Sequence, residues 1–142
     1  MATHHLRIEQ GSTFEWLILV TTRDNVPLDM SGYVGGTAGA RGMIRSTYEA
    51  PSELVSFDIS ILNKSGILGM INTGKCHLPT TVIDSLKDDL DGSCYLLVRL
   101  EASDTSSLPK GNAVYDLEIE DTFGYVIKPY KGTVVIAPES TK

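Results

Sequence analysis

Four apolar residues at every second position, Val55, Phe57, Ile59 and Ile61, alternate with Ser56, Asp58 and Ser60. Successive side chains of a strand point to opposite faces, so this period puts one face in a core and the other in water. A helix would scatter the same residues around its circumference. Ala113, Tyr115, Leu117 and Ile119 repeat the pattern against Asp116, Glu118 and Glu120, with Val114 on the polar side. Leu96, Val98 and Leu100 alternate with Tyr95, Leu97 and Arg99, which makes that strand apolar on most of both faces. Residues 13–22 form a longer strand whose centre, Trp16-Leu17-Ile18-Leu19-Val20, is apolar on both faces. Such a strand is either central in its sheet or covered by something outside its own sandwich. Residues 133–137 supply a closing strand.

Turn chemistry separates these runs. Arg23-Asp24-Asn25-Val26-Pro27 leads out of the two-faced strand. Asp121-Thr122-Phe123-Gly124 fits a short hairpin loop whose last residue takes the left-handed conformation that glycine tolerates. Gly32, Gly35, Gly36, Gly39 and Gly42 crowd one segment, which predicts bulges, a loop or close backbone approach by another chain. Helix signals are sparse. Pro79-Thr80-Thr81 precedes a stripe of Val82, Ile83, Leu86 and Leu90 that ends at Asp91-Gly92, and the acidic residues in its last turn oppose the helix dipole. A further helical turn is expected within 101–108, and residues 67–72 are a strand candidate. The remainder reads as about seven or eight short strands, hence an all-β sandwich or barrel.

At 142 residues the chain suits one domain, residues 1–142, with a hydrophobic core. A formal charge of −6 leaves no basic footprint, which argues against nucleic acid and anionic membranes as partners. No apolar run approaches the length of a membrane span. The opening residues lack the basic start and apolar stretch of a secretory signal, so synthesis and folding in a cytoplasm are expected. Cys76 and Cys94 are expected to be reduced.

Motifs for catalysis and metal binding are missing. His4, His5 and His77 are the three histidines, and Cys76-His77 with Cys94 lacks the second short-spaced ligand pair of a structural zinc site. Asp84, Asp88, Asp89 and Asp91 lack the glycine-punctuated spacing of a calcium loop. Asp116, Glu118, Glu120 and Asp121 share one strand and its turn instead of facing each other across a cleft, as glycosidase carboxylates do. The glycines match no phosphate cradle. The expectation is a protein that is not an enzyme and carries no cofactor, metal or catalytic residue. Tyr33, Tyr48, Tyr95, Tyr115, Tyr125 and Tyr130 suit sandwich packing, with an aromatic sugar-binding face as the alternative.

Two segments carry more specific signals. Ile8-Glu9-Gln10-Gly11-Ser12-Thr13-Phe14 opens a strand that is followed by Pro27-Leu28-Asp29-Met30-Ser31-Gly32-Tyr33. Tyr115-Asp116-Leu117-Glu118 comes later, and Gly132-Thr133-Val134-Val135-Ile136-Ala137-Pro138-Glu139-Ser140-Thr141 closes the chain. This order resembles a family of small tailed-phage virion structural proteins that open with "I-x-Q-G-x-T-F" and "P-x-D-L-S/T-G-Y" and close with "Y-D-L-E" and "G-x-V-x-I-x-P-E-x-T". It is also similar to the immunoglobulin-like N-terminal module of phage upper baseplate proteins.

The resemblance covers roughly the first and last fifty residues. It implies an immunoglobulin-like antiparallel β-sandwich with one short helix, and an inserted middle segment at about residues 62–93. Within it, Gly32 and Tyr33 would end a turn and seat an aromatic ring under the sandwich. Tyr115 and Leu117 would be core, with Asp116 and Glu118 outside, and Pro138 would end the last strand. The implied role is a subunit attached at the neck, tail or baseplate, or a head decoration protein. Its partners would be other phage structural proteins in a symmetric multi-copy assembly, and its location the virion. A host-glycan-binding module of a tail or capsid is the alternative. Trp16, Leu17 and Leu19 of the two-faced strand are expected to face a partner, together with Ile67, Met70, Val82, Ile83 and Leu86 of the insertion. Removal of the insertion is expected to leave a folded sandwich.

Overall fold

The computed structural model describes residues 2–31, 33, 39–87 and 92–138. Among these the order is β1 (Ala2–Thr3), β2 (Leu6–Glu9), β3 (Phe14–Leu19), β4 (Ala40–Arg45), β5 (Val55–Ser56) and β6 (Asp58–Leu62). Helices α1 (Lys64–Asn72) and α2 (Thr80–Asp84) follow, then β7 (Tyr95–Leu100), α3 (Ala102–Ser106), β8 (Gly111–Glu120), β9 (Val126–Ile127) and β10 (Tyr130–Ala137). None of the described helices is long and apolar enough to cross a membrane.

The strands form two sheets. One runs β1-β10-β8-β4-β5, with β2 also on β10 and β9 on β8; the other runs β3-β7-β6. In immunoglobulin lettering these are A′-G-F-C-C′ and B-E-D, so the chain is an all-β, immunoglobulin-like sandwich. Pairing is antiparallel except where β1 and β2 lie parallel to β10. β1 and β2 share one register, with Ala2 opposite Tyr130 and Leu6 opposite Val134, and act as a single strand interrupted at His4-His5.

The two long sides of the sandwich differ. On one, β5 pairs with β4 and β6 pairs with β7, so one continuous segment switches sheets at buried Phe57 and closes that side. On the other, among the described residues, only β1–β2 lies between the β10 edge and the β3 edge. The main core between the sheets takes the alternating residues in register. It includes Leu6, Ile8, Ile18, Val20, Ile44, Phe57, Ile59, Leu96, Val98, Leu100, Tyr115, Leu117, Ile119, Val134 and Ile136. Asp116 and Glu118 point outward, and β10 ends at Ala137, just before Pro138. Gly42, one of the crowded glycines, is closely approached by Leu117 and Asp116 of its own chain; Gly32, Gly35 and Gly36 lie outside the described residues.

Residues 67–72 belong to helix α1, not to a strand. The Asn63 side chain caps it by accepting the Gly66 N–H at 2.8 Å, and Ile67, Leu68 and Ile71 then share the face turned toward Tyr95 and Leu97. Among the described residues three helices are present where one short helix was expected, and α3 falls in the helical turn anticipated at 101–108. Helix α2 ends at Asp84, before the stripe does. Leu86 continues into the buried layer from non-helical chain, and residues 88–91 lie outside the description.

The insertion explains why β3 is apolar on both faces. β3 is an edge strand of its sheet, and α1, α2 and their flanks cover the sheet's outer face. Ile67, Cys76, Leu78, Leu86, Tyr95 and Leu97 form a second buried cluster there, with Leu17 and Leu19 packed against it. At about 1.5–3 kcal/mol for each fully buried large side chain, this layer is a substantial part of the fold. The Glu15–Arg99 ion pair (3.0 Å) fastens it: the two side chains are 11% and 16% exposed, and Glu15 also accepts the His77 N–H at 2.9 Å.

Candidate functional site

Among the described residues, those with metal-binding potential form no cluster of three or more. Cys76 and Cys94 are both buried thiols. Burial, followed by the charge of Glu15, pushes the Cys76 thiol up, which disfavours the nucleophilic thiolate. His77 touches Glu15 through its backbone N–H. Among the described residues no three His, Cys, Asp or Glu side chains gather in a way that could hold a metal ion. Glu118 and Glu120 are both engaged by Arg41, at 3.0 and 3.1 Å, and Lys128 stands 3.4 Å from Glu118. The outer face of β8 is thus a cross-strand charge ladder. Of the Asp84 cluster, three members lie outside the described residues.

The residues expected to face a partner do group together, but both halves of the contact belong to this chain. Leu17, Leu19, Ile67, Met70, Val82, Ile83 and Leu86 all pack in the second cluster, where Ile67 and Leu86 are buried. Trp16 points the other way, into the main core, with its ring 4.8 Å from His4, 5.2 Å from Tyr130 and 6.0 Å from Tyr115. The tyrosines form no common face. Tyr95 and Tyr115 are buried, Tyr33 and Tyr130 are half-buried against the core, and Tyr48 and Tyr125 are exposed.

Exposed apolar surface is concentrated instead at one end of the sandwich, on the loops after β3 and β8. The first loop turns at Asn25 (φ +62°), where the Thr22 N–H reaches the Val26 carbonyl at 2.7 Å and Thr21 pairs with Pro27. The second is tied by Asp121, whose carboxylate accepts the Phe123 and Tyr125 N–H groups, each at 2.9 Å. Gly124 there takes the left-handed conformation expected of it (φ +83°). This hydrogen-bonded tip leaves Phe123 94% exposed and Tyr125 67% exposed, with Val126 and, on the first loop, Val26 also in solvent. Asp29 secures the chain beyond the first loop. Its carboxylate accepts the Ser31 hydroxyl and the Ser31 and Ser93 N–H groups, which hold its pKa below the usual carboxylate value.

Beside these loops, on the open long side, lies a cleft of about 560 Å³ lined by residues 19–23, Leu28, Tyr125 and residues 127–130. Its floor is apolar, from Val20, Leu28, Ile127 and Pro129, and its rim carries Thr21, Thr22 and two cations, Arg23 and Lys128. Among the described residues no carboxylate lines it, in a chain whose formal charge is −6. Sequence reasoning identified both turns but not this site. The readable signal was an aromatic pair, Phe123 and Tyr125, placed in turn chemistry where packing does not require it.

No protein-family model matches the chain, and no curated protein matches it. Among solved structures it is similar to the sialic acid binding region of a Streptococcus sanguinis SK1 adhesin bound to 3'sLn. That likeness has a TM-score of 0.42 and 15% identity, over 96% of this chain and 28% of the adhesin chain.

Proposed function

We propose that this chain is a non-enzymatic attachment subunit of a tailed-phage particle, held in several copies by neighbouring virion proteins through the loop end that carries Phe123 and Tyr125. The observation that carries the reading is that exposed apolar tip. Phe123 contributes almost no burial to its own fold, yet Asp121 fixes the loop that presents it, as suits an anchor for another protein's pocket. The motif resemblance supplies the setting. Its opening segment (β2) and closing segment (β10) are adjacent strands of one sheet, and the apolar loops project beyond that framework.

Particles purified from a phage that encodes the chain should contain it in a fixed stoichiometry. Phe123→Asp with Tyr125→Asp should remove it from particles while the isolated variant keeps its wild-type melting temperature. A wild-type chain absent from purified particles would refute the reading.

A second reading, a host-glycan-binding module, draws on one arrangement: exposed Tyr125 beside Arg23 and the hydroxyls of Thr21 and Thr22. Glycan-array binding by the isolated domain, abolished by Tyr125→Ala, would favour it over attachment.

A further inference from the structure

We infer that the cleft beside β9 is a strand-accepting groove, which takes an extended acidic–apolar peptide segment of a partner protein in line with β1. This deepens the attachment reading and rests on it for the source of the segment. The geometry of the groove stands on its own.

The argument begins with the open long side. From Tyr130 to Ala137 the outer edge of β10 is covered by β1 and β2 in one continuous parallel register, beginning with Ala2 opposite Tyr130. The strand that β10 belongs to does not begin at Tyr130. β9 precedes it on the same edge of β8, with Ile127 opposite Ile119, while Lys131 lies opposite Asp116. Four steps along the β9–β10 strand therefore match three along β8, which marks a one-residue bulge at Lys128-Pro129. Among the described residues β9 pairs with β8 alone, so its other edge carries no strand.

The cleft occupies the position where a continuation of β1 would run. It lies between the residue 125–130 segment on one wall and residues 19–23 on the other. Lower on the same seam, the space is filled by extended chain: Leu6 and Ile8 enter the core, and the His4 ring stacks on Trp16 at 4.8 Å. Higher up, Val20, Leu28 and Ile127 line the cleft, and among the described residues no such segment lies over them. An extended peptide meets both demands of this place, backbone groups for the β9 edge and alternate side chains for the apolar floor. Charge selects its sequence. Arg23 has no ion pair among the described residues, and Lys128 stands 45% exposed beside Glu118, so the rim favours an acidic residue on the incoming segment.

The test uses the full chain and two forms of one probe, a peptide of alternating valine and threonine closed by two aspartates. One form is free; the other is fused ahead of residue 1, where strand pairing becomes intramolecular. The free peptide should shift the amide resonances of residues 19–23 and 125–130 and leave the α1–α2 layer unmoved. Arg23→Glu should weaken that binding about fivefold or more at low salt, and less at high salt. The fused segment should slow amide exchange across residues 126–128 about tenfold or more, and a proline at its centre should abolish the effect. The inference is overturned if neither form perturbs these amides, or if the proline version acts equally well. It is also overturned if a carboxylated monosaccharide shifts the same resonances while the peptides do not. Any of these results leaves particle incorporation, the test of the attachment reading, standing on its own.

Discussion

Gly132→Ala isolates the contact that holds the N-terminal strand to the sheet. A Cβ built on Gly132 falls 2.2 Å from the His4 carbonyl oxygen and 2.9 Å from its carbonyl carbon, and both are backbone atoms that cannot rotate away. The strand must retreat at His4. That retreat strains three contacts: the His4 N–H to the Lys131 carbonyl (3.0 Å), the Tyr115 hydroxyl to the His4 carbonyl (2.6 Å) and the His4 ring on Trp16. Orphaning the Tyr115 hydroxyl among core residues costs about 1–3 kcal/mol, and the backbone bond adds about 1 kcal/mol. Replacing glycine by alanine works in the opposite direction, because it restricts the unfolded chain by about 0.4–1 kcal/mol. The clash wins, with a net loss of about 2–3 kcal/mol. Against a typical total of about 5–15 kcal/mol, this should lower the melting temperature by about 4–12 °C. Thermal and urea unfolding of four proteins checks it: wild type, Gly132→Ala, Tyr115→Phe and the double variant. Because Gly132→Ala has already broken the hydroxyl bond, Tyr115→Phe should cost about 1 kcal/mol alone and under about 0.5 kcal/mol in the alanine background. A Gly132→Ala melt within about 2 °C of wild type would refute the reasoning, as would full additivity of the pair.

Asp29 should contribute to an acid limb of the stability curve. Its folded pKa is lowered by hydrogen bonds from the Ser31 hydroxyl and the Ser31 and Ser93 N–H groups, so its contribution is full above the unfolded value of about 3.9 and is lost as pH falls through the folded value. Urea midpoints between about pH 6 and pH 2 should fall less steeply in Asp29→Asn than in wild type, and equal slopes would count against the assignment. Ile67→Ala should cost about 2–4 kcal/mol, because the side chain is fully buried between helix and sheet. Cys76 should react with a thiol reagent at neutral pH far more slowly in the native protein than in denaturant, since burial removes access and raises its pKa; comparable rates would contradict its placement. Deletion of residues 63–92 with a short linker should keep the main core but bare Leu17, Leu19 and Leu97, so the shortened chain should bind a hydrophobic dye and aggregate. Threonine at those three positions should restore a dispersed sandwich, and a triple variant that still fails to fold would make the outer layer indispensable to the core.

Much of the framework was legible because a two-residue period depends on local sequence alone. Tyr115, Leu117 and Ile119 are buried, and Asp116 and Glu118 face outward, as their alternation requires. Asp121 to Gly124 forms the expected turn for the same local reason. The apolar run of residues 67–72 reads as a strand, yet a stretch this short suits a buried helix equally by periodicity, and the Asn63 cap that decides it lies outside the run. The two-faced centre of β3 was readable as a strand needing cover, but not as one covered by its own chain. That depends on where 30 inserted residues fold back, which no local pattern encodes. The loop site was the least legible. Its turns are written in the sequence, whereas the exposure of Phe123 and the cleft beneath Tyr125 depend on which neighbouring elements stop short of them.

The surfaces can then be sorted by what already satisfies them. The outer face of the β3-β7-β6 sheet is covered by the insertion, with Leu17 and Leu19 half-buried against it. The outer face of β8 has its carboxylates matched by Arg41 and Lys128, and a partner docking there would have to displace or desolvate that ladder. One long side is closed where β5 passes into β6. At the loop end and the upper part of the opposite side, among the described residues, the exposed rings of Phe123 and Tyr125, a strand edge without a partner and Arg23, which has no ion pair, coincide. Each of those features alone is common on a protein surface. Their coincidence at this end, among the described residues, is the physical reason to seek a partner there.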